Sequence, residues 1–236
     1  TLYTALNSLN TEQRKVITVE DPVEYNLEGI NQIQVNASIG LDFASALRSI
    51  VRQDPDVIMV GEMRDLETAR ICVQSALTGH LVLSTLHTND AAGSVTRLLE
   101  MGTEDYLLNS TLNVVLAQRL VRLLCQHCKQ PYEAEARIIE EFDLQRILPA
   151  GQSLNLHQAV GCEHCANTGY RGRVGIIEIL TISDKIRSLI LSHAGAGEIE
   201  AAAREEGMTT MFEDGCLKAT QGLTTLEEVA RVIQEG

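Results

Sequence analysis

The sequence predicts an α/β fold: a mainly parallel sheet with helices on its faces, then a cysteine-clasped element, then a helical C-terminal portion. Three observations predict it. Short apolar runs alternate with amphipathic helical patterns through the first half, as expected of strands joined by crossover helices. Four of the six cysteines fall in two C-x-x-C pairs in the second half. The last 60 or so residues follow a helical rather than a two-residue period.

At 236 residues the chain can bury a substantial core as one large domain or two small ones. Hydrophobic residues make up 44% and charged residues 22%, ordinary values for a globular protein. No apolar run approaches the roughly 18–20 residues of a membrane-spanning helix, and no basic-then-apolar leader opens the sequence, which points to a cytoplasmic address. Aromatics are only 3% and Trp is absent, so ring stacking is a poor basis for ligand recognition. The net charge is −13, and basic residues cluster only modestly, at Arg119/Arg122 and Arg171/Arg173. A body of that charge repels nucleic acid.

Taken in order, Leu2, Ala5, Leu6 and Leu9 repeat at helical spacing, so the sequence opens inside an amphipathic helix and Thr1 reads as a cut point. Residues 16–19 form a short apolar strand that stops at Pro22. Phe43, Leu47, Ile50 and Val51 make one face of a helix that Asp42 is suited to cap. The unbroken run Val57-Ile58-Met59-Val60 suits a central parallel strand buried on both faces. A helix over residues 66–77 stops near Gly79, Leu81-Val82-Leu83 reads as a further central strand, and helices over 91–100 and 104–118 close this half. A capping box of Thr225 and Glu228 starts the final helix, whose apolar face is Leu226, Val229, Ala230 and Ile233. The organisation expected is therefore a core over 1–120, a cysteine element over 121–172 and a helical portion over 173–236.

Cys125-Gln126-His127-Cys128 and Cys162-Glu163-His164-Cys165 are separated by 33 residues. Two residues between cysteines let a tight turn aim both sulfurs at one ion, and two such turns complete a tetrahedral four-thiolate Zn²⁺ shell. Disulfides are the rival reading, disfavoured in a reducing cytoplasm. Redox catalysis needs a C-x-x-C opening a helix in a thioredoxin-like setting, which this sequence lacks. With four thiolates the site is closed, so its work is stability rather than chemistry. His127 and His164 read as exposed fillers, and Cys72 and Cys216 as small core residues.

Three segments each place polar residues just after an apolar strand: Val19-Glu20-Asp21-Pro22-Val23-Glu24, Val57 through Gly61-Glu62-Met63-Arg64-Asp65, and Leu81-Val82-Leu83-Ser84-Thr85-Leu86-His87-Thr88-Asn89. In open α/β sheets that strand end is where ligands bind. A carboxylate there can orient an attacking water or hold magnesium through water, and a histidine can meet charge on a terminal phosphate. Singly, an acidic residue after a strand is more often a cap or a solvated turn; three such segments converging on one crevice are harder to assign to chance.

These blocks closely resemble the Asp box, Walker B segment and His box of the bacterial secretion ATPase superfamily, and within it the hexameric motors of type II secretion and type IV pilus assembly. The likeness extends over essentially the whole chain, including Ala117-Gln118-Arg119-Leu120 and Gly169-Tyr170-Arg171-Gly172-Arg173. The cysteine pairs match the zinc element of those two subfamilies, which retraction and conjugation relatives generally lack. Residues 18–25 and 79–89 resemble the type II branch slightly more.

The resemblance implies a RecA-like core that assembles into a hexameric ring, hydrolyses ATP with Mg²⁺, and works at the inner membrane through secretion or pilus proteins. It implies that Glu62 acts on water and magnesium, and that Glu20 and Glu24 of the Asp box and His87 of the His box lie near the phosphates. It gives Asp56 a structural role and His80 one in local packing. Arg48 and Arg52, on one helix face, either reach phosphate or a neighbouring subunit, or pair with surface carboxylates, and the pairing is the simpler reading. No G-x-x-x-x-G-K-[ST] run occurs in the 236 residues. The resemblance places that loop and its strand ahead of Thr1, and this chain alone is expected to bind ATP feebly. A type IV pilus assembly ATPase is the alternative within the family, a DNA-transport ring ATPase is disfavoured by charge and zinc, and a non-catalytic zinc-stabilised docking module is the alternative of another class.

Overall fold

The computed structural model describes residues 1–147 and 154–234, which divide into two compact units. The first comprises Thr1–Thr88, Gly93–Asn113 and Ile182–Ile199; the second comprises Asn89–Ala92, Val114–Thr181 and Glu200–Gly236.

The first unit opens with helix α1 (Leu2–Leu9), which buries Leu6. Strand β1 (Val16–Glu20) is buried at all five residues, and the polar β2 (Asn31–Gln34) pairs with it in parallel. Helix α2 (Phe43–Ile50) begins where expected. The Asp42 side chain accepts from Ser45 N–H at 2.7 Å while Ser45 Oγ accepts from Asp42 N–H at 3.0 Å. Strand β3 (Val57–Val60) is buried throughout, α3 (Leu66–Leu77) starts on an Asp65 cap, and β4 (Leu81–Ser84) follows. The four strands form a wholly parallel sheet in the order β2-β1-β3-β4.

The alternation of β3 builds core on both faces. Ile58 and Val60 pack with Leu47, Ile50 and Cys72, whereas Val57 and Met59 pack with Leu6 and Val16. Each such buried side chain contributes about 1.5–3 kcal/mol. Burial drives the Cys72 thiol up to about 12, consistent with the inert core role expected of it. Where a central strand was expected, β4 lies at the edge of the sheet formed by the described residues, and Leu81 is 41% exposed. An apolar run reports what covers a strand's faces, not whether a second strand hydrogen-bonds its edge. Helices α4 (Ala91–Glu100) and α5 (Asp105–Thr111) follow.

The helix expected over 104–118 stops at Thr111, and the chain then enters the second unit as the 11-residue strand β5 (Val114–Leu124). After β6 (Gln130–Tyr132), α6 (Ala136–Glu141), α7 (Leu144–Ile147) and β7 (Leu156–Gln158), strand β8 (Tyr170–Thr181) returns antiparallel along β5, pairing Val114 with Thr181 and Leu124 with Tyr170. The portion expected to be helical from residue 173 therefore begins as strand. Helices α8 (Asp184–Leu191), α9 (Ala196–Glu205), α10 (Met211–Thr220) and α11 (Leu226–Gln234) complete the chain, with α8 in the first unit and α10 and α11 in the second.

Leu144, Leu156, Cys216, Ala219, Leu226 and Val229 form one buried cluster of the second unit, where burial pushes the Cys216 thiol up to about 12, and Val121, Ile176, Met211 and Val232 form another. Thr225 Oγ1 accepts from Glu228 N–H at 3.2 Å, but the Glu228 carboxylate turns to Arg122 (2.6 Å) and Arg231 (2.8 Å). The Arg122 guanidinium also lies 4.2 Å over the Tyr170 ring. Burial alone would raise the Glu228 carboxyl, but the hydrogen bonds from Arg231 and Arg122 outweigh it and bring its pKa to about 2. Among the described residues no helix is long and apolar enough to cross a membrane.

Candidate active site and metal centre

Parallel register decides which residues meet. Val19 lies opposite Val60, and Val60 opposite Ser84, so Glu20, the Gly61-Glu62 turn and Thr85 finish on one edge of the sheet. The turn is tied to both neighbours: Gly61 N–H donates to Val19 O at 2.8 Å, Met63 N–H to Thr85 O at 3.0 Å, and Thr85 Oγ1 to Gly61 O at 2.7 Å.

Glu62 stands on this turn with its side chain 12% exposed. Its Oε2 accepts from Arg64 Nε at 2.6 Å and lies 3.1 Å from His87 Nε2, whose side chain is 83% exposed. The Arg64 hydrogen bond holds the Glu62 carboxyl below its ordinary range; partial burial opposes this and the His87 contact adds to it. Glu62 is therefore an anion at neutral pH, and Oε1 has no protein partner among the described residues, which leaves a lone pair for a water.

Glu20 is placed differently. It is 3% exposed, its Oε1 accepts from Thr18 Oγ1 at 2.5 Å and Gln32 Nε2 at 3.1 Å, and Oε2 accepts from the Tyr3 hydroxyl. Burial, and then that bond, raise the Tyr3 pKa. Tyr3 Oη in turn accepts from Glu24 N–H at 3.2 Å, so one phenol fixes both acidic positions of this loop, while Glu24 itself is exposed. The structure thus brings Glu62 and His87 into direct contact and sets Glu20 on the neighbouring strand end.

Arg48 pairs with Glu67 on the surface, and Arg52 is exposed. Asp56 Oδ2 accepts from Lys15 N–H at 2.6 Å, and His80 Nδ1 lies 2.9 Å from Ser75 O, both local supporting contacts. Sequence reasoning singled out neither Arg64 nor Tyr3. Arg64 is two residues from Glu62 in the same turn and was there to be found; Tyr3 meets Glu20 only through tertiary folding.

The cysteine centre lies wholly in the second unit. Cys125, Cys128, Cys162 and Cys165 place their Sγ atoms within 4.8 Å of one another. The Cys125–Cys162, Cys128–Cys165 and Cys162–Cys165 separations are 3.9, 3.8 and 3.8 Å. Zn–S bonds of about 2.3 Å in a tetrahedron require sulfurs roughly 3.8 Å apart, which these three separations match, so the cluster could hold zinc. Burial works to raise the Cys165 thiol, but the N–H groups of Cys162 and Gly169, each 3.2 Å from Sγ, bring its pKa down to about 6. Gly161 and Gly169 make the knuckle possible. Both have positive φ, and an added Cβ would lie 2.8 Å from Asn167 O and 2.6 Å from Ala159 Cβ respectively. The His127 and His164 rings stack 4.1 Å apart on the exposed surface.

Together these features define an open parallel α/β protein with an acidic strand-end site and a separate tetracysteine centre. The family model described as "Type II/IV secretion system protein" matches residues 1–231, and the chain belongs to that family. It is 61% identical over 235 residues to the type II secretion system protein E of Xanthomonas campestris pv. campestris, covering 100% of this chain and 41% of that protein. It is 52% identical to the type II secretion system ATPase E of Vibrio cholerae (100% and 46%) and 50% identical to the type IV pilus assembly ATPase PilB of Pseudomonas aeruginosa (99% and 41%). The chain thus spans less than half the length of these relatives. Among solved structures, the pilus retraction motor PilT with bound ADP matches with a TM-score of 0.69 at 28% identity, over 98% of this chain and 56% of that one.

Proposed function

We propose that this chain is the water-activating part of an ATP-hydrolysing motor that powers a type II secretion system. The observation that carries the reading is the Glu62–Arg64–His87 contact set at the end of β3, an anionic carboxylate with one oxygen open beside an exposed histidine. Glu62 would orient the attacking water and accept its proton, and His87 would meet charge developing on the terminal phosphate. Glu20 and Glu24 would hold the neighbouring wall of the nucleotide site, anchored through Tyr3. Mg²⁺, when bound, neutralises charge on the β- and γ-phosphates. The carboxylate oxygens at this edge suit its preference for hard ligands, held through water.

The cysteine centre would hold structural zinc and close the end of the β5–β8 ribbon. The working form would be a hexameric ring, peripheral at the cytoplasmic face of the inner membrane through secretion proteins. Identity favours the type II branch, at 61% and 52% against 50% for the pilus assembly relative.

The test uses the full-length protein. Magnesium-dependent ATP turnover should fall about 10²–10⁴-fold in Glu62→Gln, and expression should restore protein export rather than piliation in strains lacking the respective motor. Turnover that survives Glu62→Gln would overturn the reading.

A further inference from the structure

Strand β4 pairs with β3 as far as Ser84 opposite Val60, so residues 61–63 and 85–87 leave the two strands beyond the last rung of the sheet. There the backbone groups have no ladder to satisfy them and must find other partners. Thr85 supplies two. Its hydroxyl donates to Gly61 O at 2.7 Å, and its carbonyl accepts from Met63 N–H at 3.0 Å. The first bond holds the peptide unit between Gly61 and Glu62, and the second holds the unit between Glu62 and Met63. A planar unit fastened on each side of a Cα leaves its φ and ψ little freedom. One residue therefore governs the direction in which the Glu62 side chain departs.

The same residue leads to His87, two positions on, whose Nε2 lies 3.1 Å from Glu62 Oε2. A ring closes: Gly61 to Glu62 along the chain, Glu62 to His87 through their side chains, His87 back to Thr85 along the chain, and Thr85 to Gly61 through its hydroxyl. Arg64 Nε reaches the same Oε2 at 2.6 Å, but it fixes the carboxylate head rather than the backbone beneath it. Thr85 is itself exposed, so the ring depends on its bonds and not on burial. A β-branched side chain suits this task, because its restricted χ1 keeps the hydroxyl on Gly61 O. All of these residues belong to the first unit.

We propose that Thr85 is a positioning residue for Glu62 and His87: it clasps the peptide units on both sides of Glu62 and delivers His87 to the carboxylate. The inference rests on the ATPase reading for its kinetic consequence, but not for the clasp itself. Thr85→Val keeps the shape and the carbonyl and removes the donor, whereas Thr85→Ser keeps the donor on a freer side chain.

In the full-length protein, Thr85→Val should lower kcat for ATP about fivefold, within the range one neutral hydrogen bond commands. KM and zinc content should be unchanged, as for a contact that matters in the transition state. Thr85→Ser should recover most of the loss. Deuterium uptake at amides 61–63 should rise in Thr85→Val and return toward wild type in Thr85→Ser. The losses from Thr85→Val and His87→Ala should be less than additive in free energy, because one acts through the other. Uptake at 61–63 equal to wild type in Thr85→Val, a loss that Thr85→Ser leaves in place, or fully additive losses would overturn the proposal. Should Thr85→Val fail to fold, Thr85→Ala, which also lacks the donor, is read by the same measurements. A wild type without turnover defeats the ATPase reading, and the exchange measurements then decide the clasp by themselves.

Discussion

At the ends of β3 and β4 the polar side chains are held by partners that leave capacity over: Glu62 keeps an oxygen unbonded among the described residues and His87 projects into solvent. At the cysteine centre all four sulfurs lie within 4.8 Å of one another, close enough to share one ion, and the N–H groups of Cys162 and Gly169 donate to Cys165 Sγ. Unsatisfied capacity is what a reacting site needs, because substrate and water must find bonds there. A structural site needs none, and spare capacity there would be a route to loss of the ion.

The largest effect is expected from removing metal. Chelation, or Cys128→Ser with Cys165→Ser, should abolish zinc binding and unfold the knuckle end of β5–β8, with an expected loss of order 10 kcal/mol. Amide exchange at 124–129 and 161–169 reads it. Well under one zinc per chain in the native protein, or full protection after chelation, would remove the contrast.

Next in size is Glu62→Gln, where the proposed 10²–10⁴-fold fall in turnover should come with an unchanged melting temperature and full zinc occupancy. A melting shift as large as the activity loss would make Glu62 a structural residue like the cysteines.

Acid sharpens the contrast within the second unit. An ordinary carboxyl titrates near 4.5, and Glu228 in the fold at about 2. Its depressed value gives stability that is complete above pH about 4.5 and is lost as pH falls toward 2, at most about 3 kcal/mol. Denaturation profiles of wild type and Glu228→Gln should converge across that window; parallel profiles would contradict the assignment. The smallest effect is expected at the exposed Arg48–Glu67 pair, where Arg48→Ala should change stability by less than about 1 kcal/mol in a denaturant titration.

Legibility in the sequence followed how local the cause was. The buried run of β3, the Asp42 cap and the C-x-x-C knuckles were all readable because each is decided within a few residues. Strand β2 was not, since Asn31-Gln32-Ile33-Gln34 offers one apolar side chain and becomes a strand only by pairing with β1. The stretch after Thr111 misled because Leu108, Leu112 and Val115 keep near-helical spacing. Its alternation was masked by apolar residues on both faces: Val114, Leu116 and Leu120 are exposed, opposite buried Val121. Only β8, more than 50 residues on, selects strand there. At the site, Glu62 and His87 were legible as types at strand ends, while Arg64 and Tyr3 emerged from side-chain geometry that spacing does not encode.

Burial of Cys72 and Cys216 has a practical consequence. With their thiols pushed up to about 12 inside the core, neither supplies thiolate to an alkylating reagent while the fold persists. A metal-loaded chain should therefore register almost no reactive sulfur, a chelated one four, and a denatured one all six. Mass added per molecule counts the thiols released, and locating the fifth label at Cys72 or Cys216 by peptide mapping tells which unit has come apart first.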